Sequence, residues 1–179
     1  MVKKHVILGV TGSIAAYKAV DIVRRLQEKD IDVTVLMTAS AEKFITPLTF
    51  ETLTRRTVYR DIFVHAGEWD VAHVSLAQAA DIYLIAPATA DIIAKIACGI
   101  ADDLVACTAV ATKKQIVIAP AMNVDMFSNK IVQENIAKLK AHGVKFIEPK
   151  ESRLACDVVG KGALADVGVI VEEVVALLK

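Results

Sequence analysis

Three residues carry side chains that could act together on a small substrate: His73, Asn123 and Cys156. An imidazole can take or give a proton near neutral pH. An amide can donate to a carboxylate without adding charge, and a thiol can serve as an acid. Cys156 lies in a glycine-flanked polar stretch where a thiol can meet a substrate, whereas Cys98 and Cys107 sit in apolar helical sequence and read as small packing residues. Singly, each of the three also has a structural use. A histidine ahead of a helix is commonly a solvated residue, and an asparagine after a strand commonly forms a turn. Three cysteines without C-x-x-C spacing indicate neither a disulfide framework nor a zinc site, so no metal is expected.

The stretch that must position this chemistry runs from Ala86 to Asn123. Apolar strands are expected at Ile82–Ala86 and Gln115–Ala119, each ended by a proline, Pro87 or Pro120, that has no N–H for a ladder. Between them, Thr89 can cap a helix that runs through Lys95 to Gly99, and Asp102 or Asp103 can cap another through Lys113. Strand, helical connection and strand form the crossover of a parallel sheet. Thr89 and Met122–Asn123 then open on one carboxyl edge, where open α/β sheets bind ligands.

A second edge element comes from the start of the chain. The strand Val6–Val10 leads through Gly9-Val-Thr-Gly-Ser13 into a helix striped by Ala16, Ala19, Val20, Val23 and Leu26. Ser13 can cap that helix, and Gly12 lets the backbone approach whatever lies above its N-terminus, which makes the turn an anion site. The pattern is neither a Walker loop nor G-x-G-x-x-G. The second strand, Asp32–Met37, ends in Met37-Thr38-Ala39-Ser40, with no carboxylate to hold an adenosine ribose. Hydroxyls beside a helix N-terminus suit a terminal phosphate, so a mononucleotide such as FMN fits better than a dinucleotide. Thr38 and Ser40 serve equally well as caps of a helix near Ala41–Phe44.

The remaining chain completes the frame. Thr46-Pro47 starts a helix, and residues 55–70 have no clear period and read as strand fragment and loop, with Tyr59, Phe63 and Trp69 available to pack on another subunit. His73 precedes a short helix before Ile82. After Asn123, a helix capped by Ser128 or Asn129 runs to about Lys140, Gly143 stops it, and Val144–Ile147 forms a last short strand. Residues 149–166 read as a long polar loop, and Val167–Leu178 as a closing amphipathic helix.

Lys+Arg and Asp+Glu balance at 21 each, so neither nucleic acid nor an anionic membrane surface is implied as a partner. Hydrophobic residues make up 55% and mean hydropathy is +0.48, more than a soluble monomer needs. Strands buried on both faces and contacts between subunits would absorb that excess. The longest run without Asp, Glu, Lys or Arg, His5–Tyr17, is too short to span a bilayer. The N-terminus lacks the small-residue cleavage site of a signal peptide. The expectation is a single α/β domain over residues 1–179, Rossmann-like in the flavodoxin manner, with an open parallel sheet flanked by helices, cytoplasmic and with reduced thiols.

The set G-V-T-G-S-I-A-A-Y-K (9–18), M-T-A-S-A-E-K-F-I-T-P-L-T-F (37–50), H-V-S-L (73–76), A-P-A-T-A-D (86–91), P-A-M-N-V-D-M-F (120–127) and R-L-A-C-D-V-V-G-K-G (153–162) resembles the homo-oligomeric flavin-containing cysteine decarboxylase family. The resemblance spans essentially the whole chain. P-x-M-N-x-x-M and the stretch around Cys156 are its most specific parts. Phe127 stands where the family often has Trp or Tyr, and Asp157 where Gly is common, which bears on substrate fit. The resemblance implies FMN-dependent decarboxylation of a cysteine-type carboxylate, through thioaldehyde and enethiolate intermediates, with 4′-phosphopantothenoylcysteine as the small-molecule substrate. It implies that Gly12, Ser13, Ile14, Ser40, Thr89, Ala90, Asp91, Ile92 and Ala121 hold FMN. It implies His73 as base or orienter, Asn123 as reader of the carboxylate and Cys156 as proton donor, with Met122, Arg153, Leu154 and Ala155 beside the substrate. A homo-oligomer, trimeric or dodecameric, is implied as well. Two rival readings are a peptidyl-cysteine decarboxylase of lantibiotic biosynthesis and a non-catalytic flavoprotein regulatory subunit. A turnover assay on free and peptidyl cysteine substrates separates all three.

Overall fold

Five parallel strands form the centre of the molecule, and their order explains where a ligand can enter. The computed structural model describes residues 3–63, 76, 78, 80–153 and 159–179. The strands are β1 (His5–Val10), β2 (Asp32–Met37), β3 (Ile82–Ala88), β4 (Gln115–Pro120) and β5 (Lys145–Phe146), in the spatial order β2-β1-β3-β4-β5. Pairing runs in register from His5 opposite Asp32 to Val10 opposite Met37, and from Val6 opposite Ile82 to Gly9 opposite Ile85. The order reverses between β1 and β3, which is the switch point of a flavodoxin-like sheet.

Both faces of the sheet are covered, so its strands read as continuous apolar runs. Val6, Leu8 and Val10 join a core with α1 (Ala19–Glu28), α2 (Pro47–Thr54) and α7 (Val167–Leu177). Ile7 points the other way, into a core with α3 (Ala90–Cys98), α4 (Leu104–Ala111) and α6 (Lys130–Ala141). Burying each such side chain contributes about 1.5–3 kcal/mol. A short helix, α5 (Val124–Ser128), links β4 to α6.

The caps arise from local chemistry. Thr89 accepts the Ile92 N–H at the start of α3, and Gly99 ends that helix at φ +71°. Of the two candidate aspartates, Asp103 caps α4, accepting the Ala106 N–H at 2.9 Å. Asn129 caps α6 and Gly143, at φ +86°, follows its end. Ser13 caps a 3₁₀ turn over Ile14–Lys18 that precedes α1.

Three expectations are corrected. Pro120 ends β4, but Pro87 does not end β3, which continues through a cis Ala86–Pro87 bond to Ala88, opposite Pro120. The ladder shifts between Ile85 and Ala88, and an irregularity of that kind tolerates a residue without N–H. Residues 149–166 are not a loop throughout, for β6 (Lys150–Arg153) and β7 (Val159–Ala163) pair as an antiparallel hairpin. Glycines in a polar stretch suggest a turn, yet Gly160 and Gly162 lie within β7, where neighbouring chain approaches closely. Cys98 is exposed at the end of α3, unlike the half-buried Cys107, so only the latter packs.

Candidate active site

A cavity of about 430 Å³ opens at the switch point. One wall is the turn after β1 (Gly12, Ser13, Ile14 and Ala15), and the opposite side comes from Thr89, Ala90, Ala121, Met122 and Asn123. The hairpin closes a third side through Ser152, Gly162 and Ala163. Three segments distant in sequence thus meet at one edge.

Thr11 joins two of them. It is buried, and its Oγ1 donates to the Pro87 carbonyl at 2.7 Å and accepts the Thr89 N–H at 3.0 Å. The turn after β1 and the start of α3 are therefore fixed relative to each other. Gly12 lies so tightly against Ser40 that a Cβ there would collide with the serine side chain. The third segment docks by backbone. Met122 N–H donates to the Gly162 carbonyl at 2.9 Å, and a Cβ on Gly162 would sit 2.5 Å from the Met122 carbonyl oxygen. A Cβ on Gly160 would meet Val124 at 2.9 Å.

The other expected residues have definite places. Asn123 is the N-cap of α5, and its Oδ1 accepts the Asp125 N–H at 2.7 Å, which sets the orientation of the amide on the cavity wall. Ser40 is beside Gly12 and caps no helix with its side chain, whereas Thr38 accepts the Ala41 N–H at 3.2 Å. Ile92 is buried behind the Thr89 cap. Asp91 is turned toward Lys95, whose ammonium reaches Asp103 at 2.9 Å, Asp102 at 3.0 Å and Asp91 at 3.5 Å. Burial lowers the Lys95 pKa, but its hydrogen bonds to Asp103 and Asp102 outweigh this and raise it above the ordinary value. Arg153 ends β6. His73, Leu154, Ala155 and Cys156 lie outside the described residues.

The residues present fit a phosphorylated, planar, largely apolar cofactor. The helical turn capped by Ser13 and the helix capped by Thr89 direct backbone N–H groups to the same edge, and Ala121 and Met122 line an apolar wall. The volume lies in the range of about 300–1,000 Å³ usual for small-ligand sites. The sequence pattern of the Flavoprotein family matches residues 1–179. The chain belongs to that family. It is 44% identical over 173 residues to a "Probable phosphopantothenoylcysteine decarboxylase" of Streptococcus mutans, covering 96% of this chain and 97% of that protein. The solved structure of a cysteine-to-serine mutant of PPC decarboxylase, complexed with pantothenoylaminoethenethiol, superposes with a TM-score of 0.87 at 29% identity, over 98% of each chain. "FMN-dependent Cysteine Decarboxylases SpaF" gives 0.85 at 32%, also over 98% of each. The chain spans about 40% of the length of the bifunctional coenzyme A biosynthesis protein CoaBC of Bacillus subtilis.

Thr11 and the two hairpin glycines shape the walls of this cavity, and the sequence alone does not single them out. Their signals are a lone hydroxyl directly after an apolar strand, and glycines two residues apart on one face of a strand.

Proposed function

We propose that this chain is an FMN-dependent decarboxylase that converts 4′-phospho-N-pantothenoylcysteine to 4′-phosphopantetheine in coenzyme A biosynthesis. The observation that carries this reading is the cavity at the β1/β3 switch point, where phosphate-accepting turns face the P-A-M-N segment and the hairpin base. Its relatives support the choice of substrate.

Loss of CO2 from a plain α-amido carboxylate leaves a carbanion with no electron sink. Bound FMN would supply reversible two-electron chemistry at the substrate's thiol-bearing carbon, whose thioaldehyde form is the sink for that charge. Gly12, Ser13, Ile14, Ser40, Thr89, Ala90, Asp91, Ile92 and Ala121 are the residues assigned to hold it. His73 takes the thiol proton or orients the thiol. The Asn123 amide donates to the substrate carboxylate, and Met122, Arg153, Leu154 and Ala155 flank the substrate. Cys156 gives its proton to the carbon of the enethiolate left by decarboxylation.

The reading takes residues 1–179 as one decarboxylase domain that acts as a homo-oligomer, trimeric or dodecameric. Supporting contact between copies, Ile14, Tyr17 and Met126 at the cavity rim are 61%, 60% and 48% exposed. Among the described residues no helix is long and apolar enough to cross a membrane. Work on a coenzyme A precursor supports a cytoplasmic location. The test is CO2 release from 4′-phosphopantothenoylcysteine by purified, FMN-loaded protein. Release from a peptide ending in cysteine, and not from this substrate, sinks the assignment.

A further inference from the structure

Lys18 ends the 3₁₀ turn that begins at Ile14, and it is the one charged side chain among the described residues lining the main cavity. With Tyr17 it also lines an adjoining cavity of about 430 Å³, whose other charged residues are Asp21, Arg25 and Asp166. Those three already have partners. Arg25 Nε meets Asp21 at 3.1 Å, and Asp166 is paired with Lys150. Among the described residues no carboxylate forms an ion pair with Lys18, whose Nζ lies 5.9 Å from the Tyr17 ring centroid. Among the described residues the seam between the two cavities therefore holds one ammonium without a direct ion-pair partner. Its field reaches across that seam: Lys150 chiefly holds the Asp166 carboxyl below its ordinary range, and Lys18 lowers it further.

The proposed reaction brings two phosphate monoesters to this protein, one on FMN and one at the end of the substrate's pantothenoyl arm. Ser13 and Lys18 stand at opposite ends of the same turn, roughly 10 Å apart at about 2 Å per residue. Backbone N–H groups serve the Ser13 end, and an ammonium serves the other. We propose that Lys18 is a specificity-determining residue that binds the substrate's terminal phosphate monoester, leaving the cofactor's phosphate to the Gly12–Ser13 end. The inference rests on the decarboxylase reading above. A cysteine-ended peptide has no phosphate there, so the same lysine would favour the small phosphorylated substrate over a peptide.

The test compares kcat/KM for 4′-phosphopantothenoylcysteine and for pantothenoylcysteine, using FMN-loaded wild type, Lys18→Gln and Lys18→Arg. The wild type should prefer the phosphorylated substrate, Lys18→Gln should cut that preference about tenfold or more through KM, and Lys18→Arg should restore most of it. An unchanged preference in Lys18→Gln overturns the proposal. So does wild-type CO2 release that is equally efficient from both substrates, which leaves the decarboxylase reading intact. Titration of the apoprotein with FMN separates the two phosphates: a weakened FMN affinity in Lys18→Gln with the substrate preference retained gives the lysine to the cofactor and overturns the proposal. Calorimetry with 4′-phosphopantothenate and pantothenate completes the set. A phosphate-dependent affinity lost in Lys18→Gln supports the inference even if neither thiol releases CO2, a result that sinks only the reaction.

Discussion

Thr11 Oγ1 accepts the backbone N–H of Thr89 at 3.0 Å, fastening the turn after β1 to the first residue before α3. The same oxygen donates to Pro87, so one hydroxyl sets the spacing of two ligand-facing turns. Thr11→Val keeps the shape but takes the acceptor from the Thr89 N–H and leaves the Pro87 carbonyl with the Thr11 N–H at 3.3 Å alone, a loss of about 1–3 kcal/mol. We expect the FMN dissociation constant to rise about tenfold, read by flavin fluorescence on the apoprotein, with Thr11→Ser recovering most of the affinity. Equal binding by the valine variant would remove Thr11 from the cofactor cradle.

Asn123→Asp is a cleaner probe than its position as a helix cap suggests. The Asp125 N–H needs only an acceptor, and aspartate supplies one, so α5 should keep its cap. What changes is the amide NH2, which under the proposed function meets the substrate's carboxylate; a second carboxylate there would repel it, and like charges in a partly desolvated site repel strongly. Turnover should fall more than about a hundredfold while bound FMN and the melting temperature stay near wild type. Near-normal activity refutes the role of Asn123.

For Cys156→Ser we expect CO2 loss without completion of the cycle, because a serine hydroxyl is a far weaker acid than a thiol of pKa about 8.5. About one CO2 per site and an unsaturated product two mass units below the normal thiol should appear, by mass spectrometry. Saturated thiol formed at the wild-type rate excludes Cys156 as the acid.

Two glycine substitutions should part company. Gly99→Ala meets no atom within 4 Å and suffers only from φ +71°, a cost of about 1 kcal/mol that lowers the melting temperature by a few degrees and spares turnover. Gly162→Ala drives a Cβ to 2.5 Å from the Met122 carbonyl and should displace the hairpin, reducing kcat/KM more than Gly99→Ala does. Matching kinetic losses in the two variants would deny the hairpin a part in the site.

Glu148 joins Lys161 of β7 at 2.7 Å to Lys140 of α6 at 3.0 Å. The hydrogen bond from Lys161, then that from Lys140, holds its carboxyl below the ordinary glutamate value. A depressed acid contributes stability above its unfolded pKa of about 4.3, and that contribution is lost as pH falls through the folded value. All three side chains are about half exposed, so screening keeps the effect below about 1 kcal/mol. Glu148→Gln should therefore melt slightly lower than wild type at pH 7, with the gap closing below about pH 4. A gap that widens in acid contradicts the sign.

What was legible in the sequence was local. Asp32–Met37 is a strand from its apolar run alone, and Thr89, Gly99 and Gly143 mark helix ends through their own backbone chemistry. The hairpin was not legible, because Lys150 to Arg153 must find partners beyond a connecting segment and its glycines answer to Val124 and Met122, far away in sequence. The cavity shows the same division. Ser13, Thr89 and Asn123 announce themselves as caps, whereas Thr11 has meaning only once β1 and β3 lie side by side. Pro87 misleads for a related reason: its missing N–H falls where the ladder is already irregular.

The docking of β7 on Met122 through main-chain atoms has a consequence for how such a protein can diversify. A peptide N–H and a carbonyl join the hairpin's base to Met122, and Gly162 leaves room for that close approach. Residues 154–158 follow β6 and precede β7 in sequence, and the Met122–Gly162 joint lies outside them. Grafting that segment from one relative to another should alter which cysteine compounds are accepted while the sheet, its caps and the cofactor turns keep their stability, so substrate range can drift without retuning the scaffold.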